Sequence, residues 1–134
     1  THNWYKEKWI ALAKQIDKEI VFTGTNKEYV QNIIKELDNG IDATGTTIEE
    51  FFGWIKHADT IVTVDTSAMH VASAFNKKVI SLFGAGDPRF WRPISKEGHV
   101  ILKGNCHSCH FNHCERKDHR CMRSIKPKDI LEKL

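Results

Sequence analysis

Asp65, Thr66, Ser67 and His70 sit where an apolar run gives way to a helical pattern, in TIVTVDTSAMHVASAF (residues 60–75). A carboxylate, two hydroxyls and an imidazole at a strand-to-helix junction can do two different things. The free N–H groups and the positive dipole end of the helix suit a phosphate, with both hydroxyls and His70 as further donors. Asp65 would repel phosphate, so its natural partner in such a site is a neighbouring sugar hydroxyl. The plainer reading is that Asp65 or Thr66 caps the helix and that His70 is a satisfied histidine on a half-buried face. These residues alone leave the two readings level.

Two further loops carry related chemistry. After EIVFT, Gly24 is followed by Thr25, Asn26, Lys27 and Glu28. One carboxylate can accept from both hydroxyls of a ribose, which makes Glu28 a candidate reader of that diol. Thr25-x-x-Glu28 is equally a capping box, and by the residues alone the cap is favoured. After KVISLF comes Gly84-Ala85-Gly86-Asp87-Pro88, with little bulk to keep a ligand from the backbone at Gly84, although Asp87-Pro88 also reads as turn chemistry. No phosphate-binding run of the GxxxxGK[ST] type and no GxGxxG is present, which removes support for nucleotide triphosphate hydrolysis and dinucleotide redox chemistry.

All four cysteines fall in one stretch, Cys106-x2-Cys109-x4-Cys114-x6-Cys121, with His107, His110, His113 and His119 among them. Four thiols in a short loop can offer tetrahedral ligands to zinc, and a site filled by four protein ligands is structural. Free thiols are the competing reading. Disulfides rank below both in a cytosolic setting.

These residues need elements to hold them. Trp9, Leu12, Ala13 and Ile16 follow helical spacing, which predicts a first helix over residues 4–16. Val30, Ile33, Ile34 and Leu37 predict a second, stopped at Asn39-Gly40, and residues 41–44 a brief extended piece. Thr47 and Glu50 open a third helix with a capping box. Strands are predicted at 19–23, 60–64, 78–83 and 99–103, a helix at 67–75, and a final helix from Pro127. Strands alternating with helices of about ten residues predict an α/β fold, a doubly wound parallel sheet covered on both faces. In such sheets ligands sit at the carboxyl ends of the strands, which is where the Asp65, Gly84 and Gly24 loops fall.

Composition sets outer limits. A chain of 134 residues, 40% apolar and 28% charged, has the size of one domain with a real core. A net charge of +3 with scattered basic residues argues against a dedicated nucleic-acid binder and is compatible with an anionic lipid surface. No apolar run approaches the roughly 18 residues of a membrane span, and no signal-peptide pattern is seen, so a cytoplasmic protein is expected. With only three residues before the first helix, a starting strand is expected to be missing.

In order, WYKEKWIALAKQI, VFTGTNKE, ATGTTIEEFFGWIKHAD, VTVDTSAMHVASAF, KKVISLFGAGDPRFWRP and CMRSIKPKDILEKL resemble the C-terminal half of the family 9 glycosyltransferases, the lipopolysaccharide heptosyltransferases. The resemblance covers nearly the whole chain. It implies one Rossmann-like half of a GT-B enzyme, with residues 1–134 as a single nucleotide-sugar-binding domain and 104–122 as a Cys/His-rich loop within it. The implied donor is of the ADP-heptose type, and the acceptor is lipid-linked and held by an N-terminal domain. The implied chemistry is inverting transfer that requires no cofactor, at the cytoplasmic face of the bacterial inner membrane. Asp65 would meet the sugar hydroxyls, Thr66, Ser67 and His70 the diphosphate, and Glu28 the ribose.

Two departures stand out. The family's usual Asp-Thr-Gly is here Asp65-Thr66-Ser67, and a basic residue two positions before the first-helix tryptophan is here His2. The half that would carry the catalytic carboxylate is not in this sequence, so the chain alone is expected to bind donor weakly and to transfer nothing. The alternatives are a stand-alone nucleotide or nucleotide-sugar binding module, or a zinc-stabilised interaction domain working through the Cys/His loop.

Overall fold

A computed structural model of the chain describes residues 3–106, 109 and 113–134. Strands and helices alternate as the sequence predicts: α1 (Lys6–Ala13), β1 (Ile20–Phe22), α2 (Lys27–Ile34), β2 (Gly40–Asp42), α3 (Ile48–His57), β3 (Thr60–Val64), α4 (Ser67–Ala74) and β4 (Lys78–Phe83). A four-residue α5 (Pro88–Trp91), β5 (Gly98–Leu102), α6 (Arg120–Ser124) and α7 (Pro127–Leu131) complete the order. The histidines at 2, 107 and 110 lie outside the described residues.

Every ladder is parallel. β3, β4 and β5 form one sheet, with Thr60 opposite Lys78 and Val79 opposite Gly98, and β1 pairs with β2 in a second. Among the described residues no ladder joins β1 to β3. Burial follows from this. β4, paired on both sides, is buried from Val79 to Phe83, whereas β1 is only half-buried.

The two faces of the larger sheet are covered by different helices, which makes the fold doubly wound. Ile80 and Leu82 point into a core with Leu12 of α1, Met122 of α6 and Ile130 of α7. Val79 and Phe83 point the other way, into a core with Ile55 of α3 and Met69 and Ala72 of α4. This alternation is the two-residue period of a strand buried on both sides.

The two ends of the chain are fastened together. Trp4 is buried just ahead of α1, and its Nε1 donates to the Ile125 carbonyl at 3.3 Å. Lys8 of α1 donates to the carbonyls of Met122, Arg123 and Ile125, closing the C-terminal end of α6. Burial, together with Lys126 and Arg123 nearby, lowers the Lys8 pKa from its ordinary value. Lys103, just past β5, pairs with the buried Asp129 of α7 at 2.7 Å. Burial alone would push the Asp129 carboxyl up, but the bonds from Lys103 and from the Lys126 N–H hold it below its usual value.

Several boundaries differ from those predicted. α1 is shorter at both ends, because Trp4 serves as a core anchor before the helix and the chain turns after Ala13. α2 stops at Ile34, and Asn39-Gly40 is not its stop. The Asn39 side chain instead donates to the carbonyls of Ile16 and Lys18, and Gly40 opens β2 opposite Ile20. The third helix opens as predicted, with Thr47 and Glu50 bonding each other's backbone N–H at 3.2 and 2.8 Å.

Candidate functional site

β3 ends at Val64, and two residues later α4 begins. Its N-cap, Thr66, has extended backbone and makes no capping bond. The Thr66 hydroxyl turns back toward the strand instead, 3.1 Å from Thr63 Oγ1, while Thr63 Oγ1 donates to the Val64 carbonyl at 3.0 Å. Thr63 is itself buried on the α4 face of β3. A buried threonine under the junction thus draws away the hydroxyl that would otherwise cap the helix. The first-turn N–H groups of Ser67 and Ala68 stay available as donors at the positive end of the helix. Ser67 and His70 are exposed beside them.

Asp65 is brought against the loop after β4. A Cβ built on Gly86 would lie 1.9 Å from Asp65 Oδ2 and 3.0 Å from its Cγ, so only glycine leaves room for this carboxylate. The close approach is made at Gly86, and Gly84 is buried at the strand exit two residues earlier. Asp87, also buried, caps α5 by accepting from the Arg89 N–H at 2.9 Å and grips the exposed Arg89 guanidinium at 2.6 Å. That bond, with the adjacent Asp87 charge, raises the Arg89 pKa further. The segment 88–96 is then laced to one face of α4. His70 meets the Trp91 ring edge-on at 6.2 Å, Ser73 Oγ accepts from the Ile94 N–H, and Asn76 Oδ1 accepts from the Lys96 N–H.

The β3 and β4 exits therefore form one assembly of Asp65, Thr66, Ser67, His70, Gly84 and Gly86. The sequence reading did not single out Thr63 or Trp91, and it took Gly86 only as part of the thin Gly84–Pro88 loop and Asp87 only as turn chemistry. A threonine on the inward face of an otherwise apolar strand was the one available signal, for Thr63.

Gly24 and Glu28 stand apart, at the exit of β1 in the other sheet. Gly24 has φ +157, a backbone state that favours glycine. The Thr25–Glu28 capping box does not form, because Asn26 is the N-cap and its side chain accepts from the Tyr29 N–H at 3.0 Å. The Glu28 carboxylate is exposed and makes no bond to the Asp65 cluster among the described residues. Next to it, Tyr29 donates to the Trp4 carbonyl at 2.8 Å and lines a cavity of about 360 Å³ with Trp4, Tyr5 and Met122. Burial, and the charge of Glu7, raise the Tyr29 pKa. In the Asp65 cluster, Thr66, Ser67 and His70 are exposed, Asp65 is half-buried, and Gly84 and Gly86 are buried.

Cys106, Cys109, Cys114 and Cys121 are free thiols. Burial, then the nearby Cys106 and Cys114, push the Cys121 thiol up. Among the described residues no group of three His, Cys, Asp or Glu stands ready to hold a metal, and no helix is long and apolar enough to cross a membrane.

Comparison with known proteins extends these observations. A family model described as glycosyltransferase family 9 (heptosyltransferase) matches residues 1–119. The chain is 28% identical over 143 aligned residues to lipopolysaccharide heptosyltransferase 2 of Salmonella typhimurium, covering 98% of this chain and 41% of that protein. A shorter stretch, 37% of the chain and 14% of the relative, is 47% identical to lipopolysaccharide heptosyltransferase 3 of Escherichia coli. The fold matches the solved structure of the E. coli ADP-heptose lps heptosyltransferase II with a TM-score of 0.81 at 24% identity. It matches a glycosyl transferase family 9 structure from Veillonella parvula with a TM-score of 0.83 at 18% identity, in both cases over 98% of this chain and 40% of the other. The chain thus spans about two-fifths of the length of these relatives.

Proposed function

Because the chain belongs to glycosyltransferase family 9, we propose that it is the donor-holding part of an inverting transferase of lipopolysaccharide core assembly, with a donor of the ADP-heptose type. The observation that carries this reading is the uncapped start of α4, with Asp65 seated against Gly86 beside it. One half of that arrangement favours a phosphate and the other a sugar hydroxyl, groups that a nucleotide sugar joins through its anomeric oxygen.

In such a transfer an acceptor hydroxyl attacks the anomeric carbon while the bond from that carbon to the diphosphate oxygen breaks. Negative charge grows on the leaving diphosphate. The N–H groups of the first turn of α4, the Ser67 hydroxyl and His70 would serve as donors to that charge, and the helix dipole adds to them. The leaving group is then stabilised without a cofactor. Asp65 accepts from the sugar and fixes the ring relative to the diphosphate, with Gly84 and Gly86 keeping the loop thin. Glu28, relieved of capping duty by Asn26, is free to accept from the ribose, with Gly24 shaping the turn before it. The attacking hydroxyl gives its proton to a base outside this chain, and the lipid-linked acceptor is held by the rest of a longer protein at the inner membrane.

Calorimetric titration with ADP and with an ADP-sugar separates the parts. ADP-sugar should bind more tightly than ADP, and Asp65→Asn should remove the difference while leaving ADP binding as it was. Equal affinity of the unaltered chain for ADP and for phosphate-free adenosine would sink the reading.

A further inference from the structure

Trp91 stands 52% exposed at the edge of the assembly formed by the β3 and β4 exits. Its place there is fixed from both sides. Ahead of it, Gly86 receives Asp65, and Asp87 caps α5 and accepts the Trp91 N–H at 3.1 Å through its carbonyl. Behind it, the Ile94 and Lys96 N–H groups are tied to Ser73 of α4 and to Asn76 just past it, at 3.2 and 3.0 Å. The indole meets the His70 ring nearly at right angles, 6.2 Å away. His70 lies one turn on from Ser67, on the same face of α4. The chain thus leaves Asp65 at Gly86 and returns to α4 at His70, with Trp91 at the point of return.

Packing does not account for this indole. A tryptophan brings the largest apolar surface of any side chain, and here half of it is left to water. Phe90, its neighbour on α5, lies against the Arg89 guanidinium at 5.9 Å instead of against α4. A pyranose has two kinds of surface, a rim of hydroxyls and faces made of C–H groups. Asp65, Ser67 and His70 are polar and can answer the rim and the diphosphate, not the faces. The hydrogens of a sugar's C–H groups carry partial positive charge from the adjoining oxygens. The electron-rich face of an indole attracts them through the same quadrupole that orders aromatic pairs.

We propose that Trp91 is the platform for the donor's sugar, stacking on a C–H face of the pyranose while Asp65 accepts from its hydroxyl rim. The platform rests on the donor reading of the Asp65–His70 junction and adds to it a residue that selects the sugar. A ring whose lower face is clear of axial hydroxyls lies flat on the indole, and one that carries an axial hydroxyl there is held off it. Trp91 is a binding residue: it takes no proton and forms no bond. Its contact is with the sugar and not with the nucleotide, so its loss should tell ADP-heptose from ADP. Fixed at both ends by Asp87 and by the bonds to Ser73 and Asn76, the indole is presented with little freedom left to lose on binding.

The test is proton NMR of ADP-heptose with and without the chain, beside calorimetric titration with ADP and with ADP-heptose. On binding, the indole ring current should move sugar-ring protons upfield, and saturation of the aromatic protein resonances should pass to them. Trp91→Ala should abolish the upfield shift and lower ADP-heptose affinity by about two- to tenfold, the range of one aromatic contact, with ADP affinity as in the parent chain. Trp91→Phe, a smaller ring, should keep part of both. Sugar protons that stay still while ADP-heptose is bound, or that move equally in Trp91→Ala, would overturn the platform and leave the donor reading standing. A loss of ADP affinity in Trp91→Ala that Trp91→Phe restores would make Trp91 a prop for His70 and overturn the platform as well. No ADP binding by the unaltered chain would remove the donor reading and the platform with it.

Discussion

α3 and α4 pack against each other on one face of the sheet, yet their N-termini are finished in opposite ways. At α3 the Thr47 hydroxyl and the Glu50 carboxylate each take a backbone N–H, and the helix start is closed. At α4 the N-cap is again a threonine, but its hydroxyl is held by Thr63 below and the helix start is left open. The same residue type thus closes one helix and opens the other, and the difference lies in the strand beneath. A helix whose donors are spent on its own side chains serves stability. A helix whose donors are held back is prepared for an anion.

The comparison breaks most visibly at Gly86. Gly86→Ala would turn the Asp65 carboxylate out of its seat, at little cost in stability because only the end of a side chain must move, and ADP-sugar binding should fall to the level of ADP. A titration that matches the parent chain would mean that the β3 and β4 exits are not one site. Thr47→Ala should cost about 1 kcal/mol in a denaturant melt and leave ADP affinity untouched, since α3 is closed to ligand. Thr66→Asp turns the start of α4 into one like that of α3. It should raise stability by about 0.5 kcal/mol, by capping and by its charge at the dipole, while ADP binding is lost to repulsion. An equally tight ADP complex would remove the helix start from the site. The smallest effect belongs to Ser67→Gly, which restores the residue usual in the family. Helix propensity sets its stability cost at about 0.4 kcal/mol, and a modest fall in ADP affinity should mark the lost hydroxyl donor.

What the sequence disclosed follows the strength of its local signals. β3 and β4 were plain because long apolar runs flanked by turn residues have few other readings, and Thr47 with Glu50 announced α3. α2 was drawn too long because Leu37 keeps the helical spacing after the backbone has left the helix. α6 was missed because five residues within a Cys/His-rich stretch carry almost no periodicity. At the site, the residue types were legible and their division of labour was not. Asp and Thr are both good caps, so only the position of Thr63 beneath Thr66 decides that neither caps α4. Gly84 and Gly86 are equivalent on paper, and only the fold sets Gly86 under Asp65. Glu28 lost its capping role to Asn26 two residues earlier, which the Thr25-x-x-Glu28 spacing had concealed.

The central claim is that the start of α4 is an open anion site and that of α3 a closed one. Backbone amide shifts followed through an ADP titration test it directly. The amides of Ser67 and Ala68 should move in proportion to ADP added, while those of Ile48 and Glu49 at the start of α3 stay still. Unmoved amides at Ser67 and Ala68, with shifts gathered elsewhere on the chain, would contradict the account.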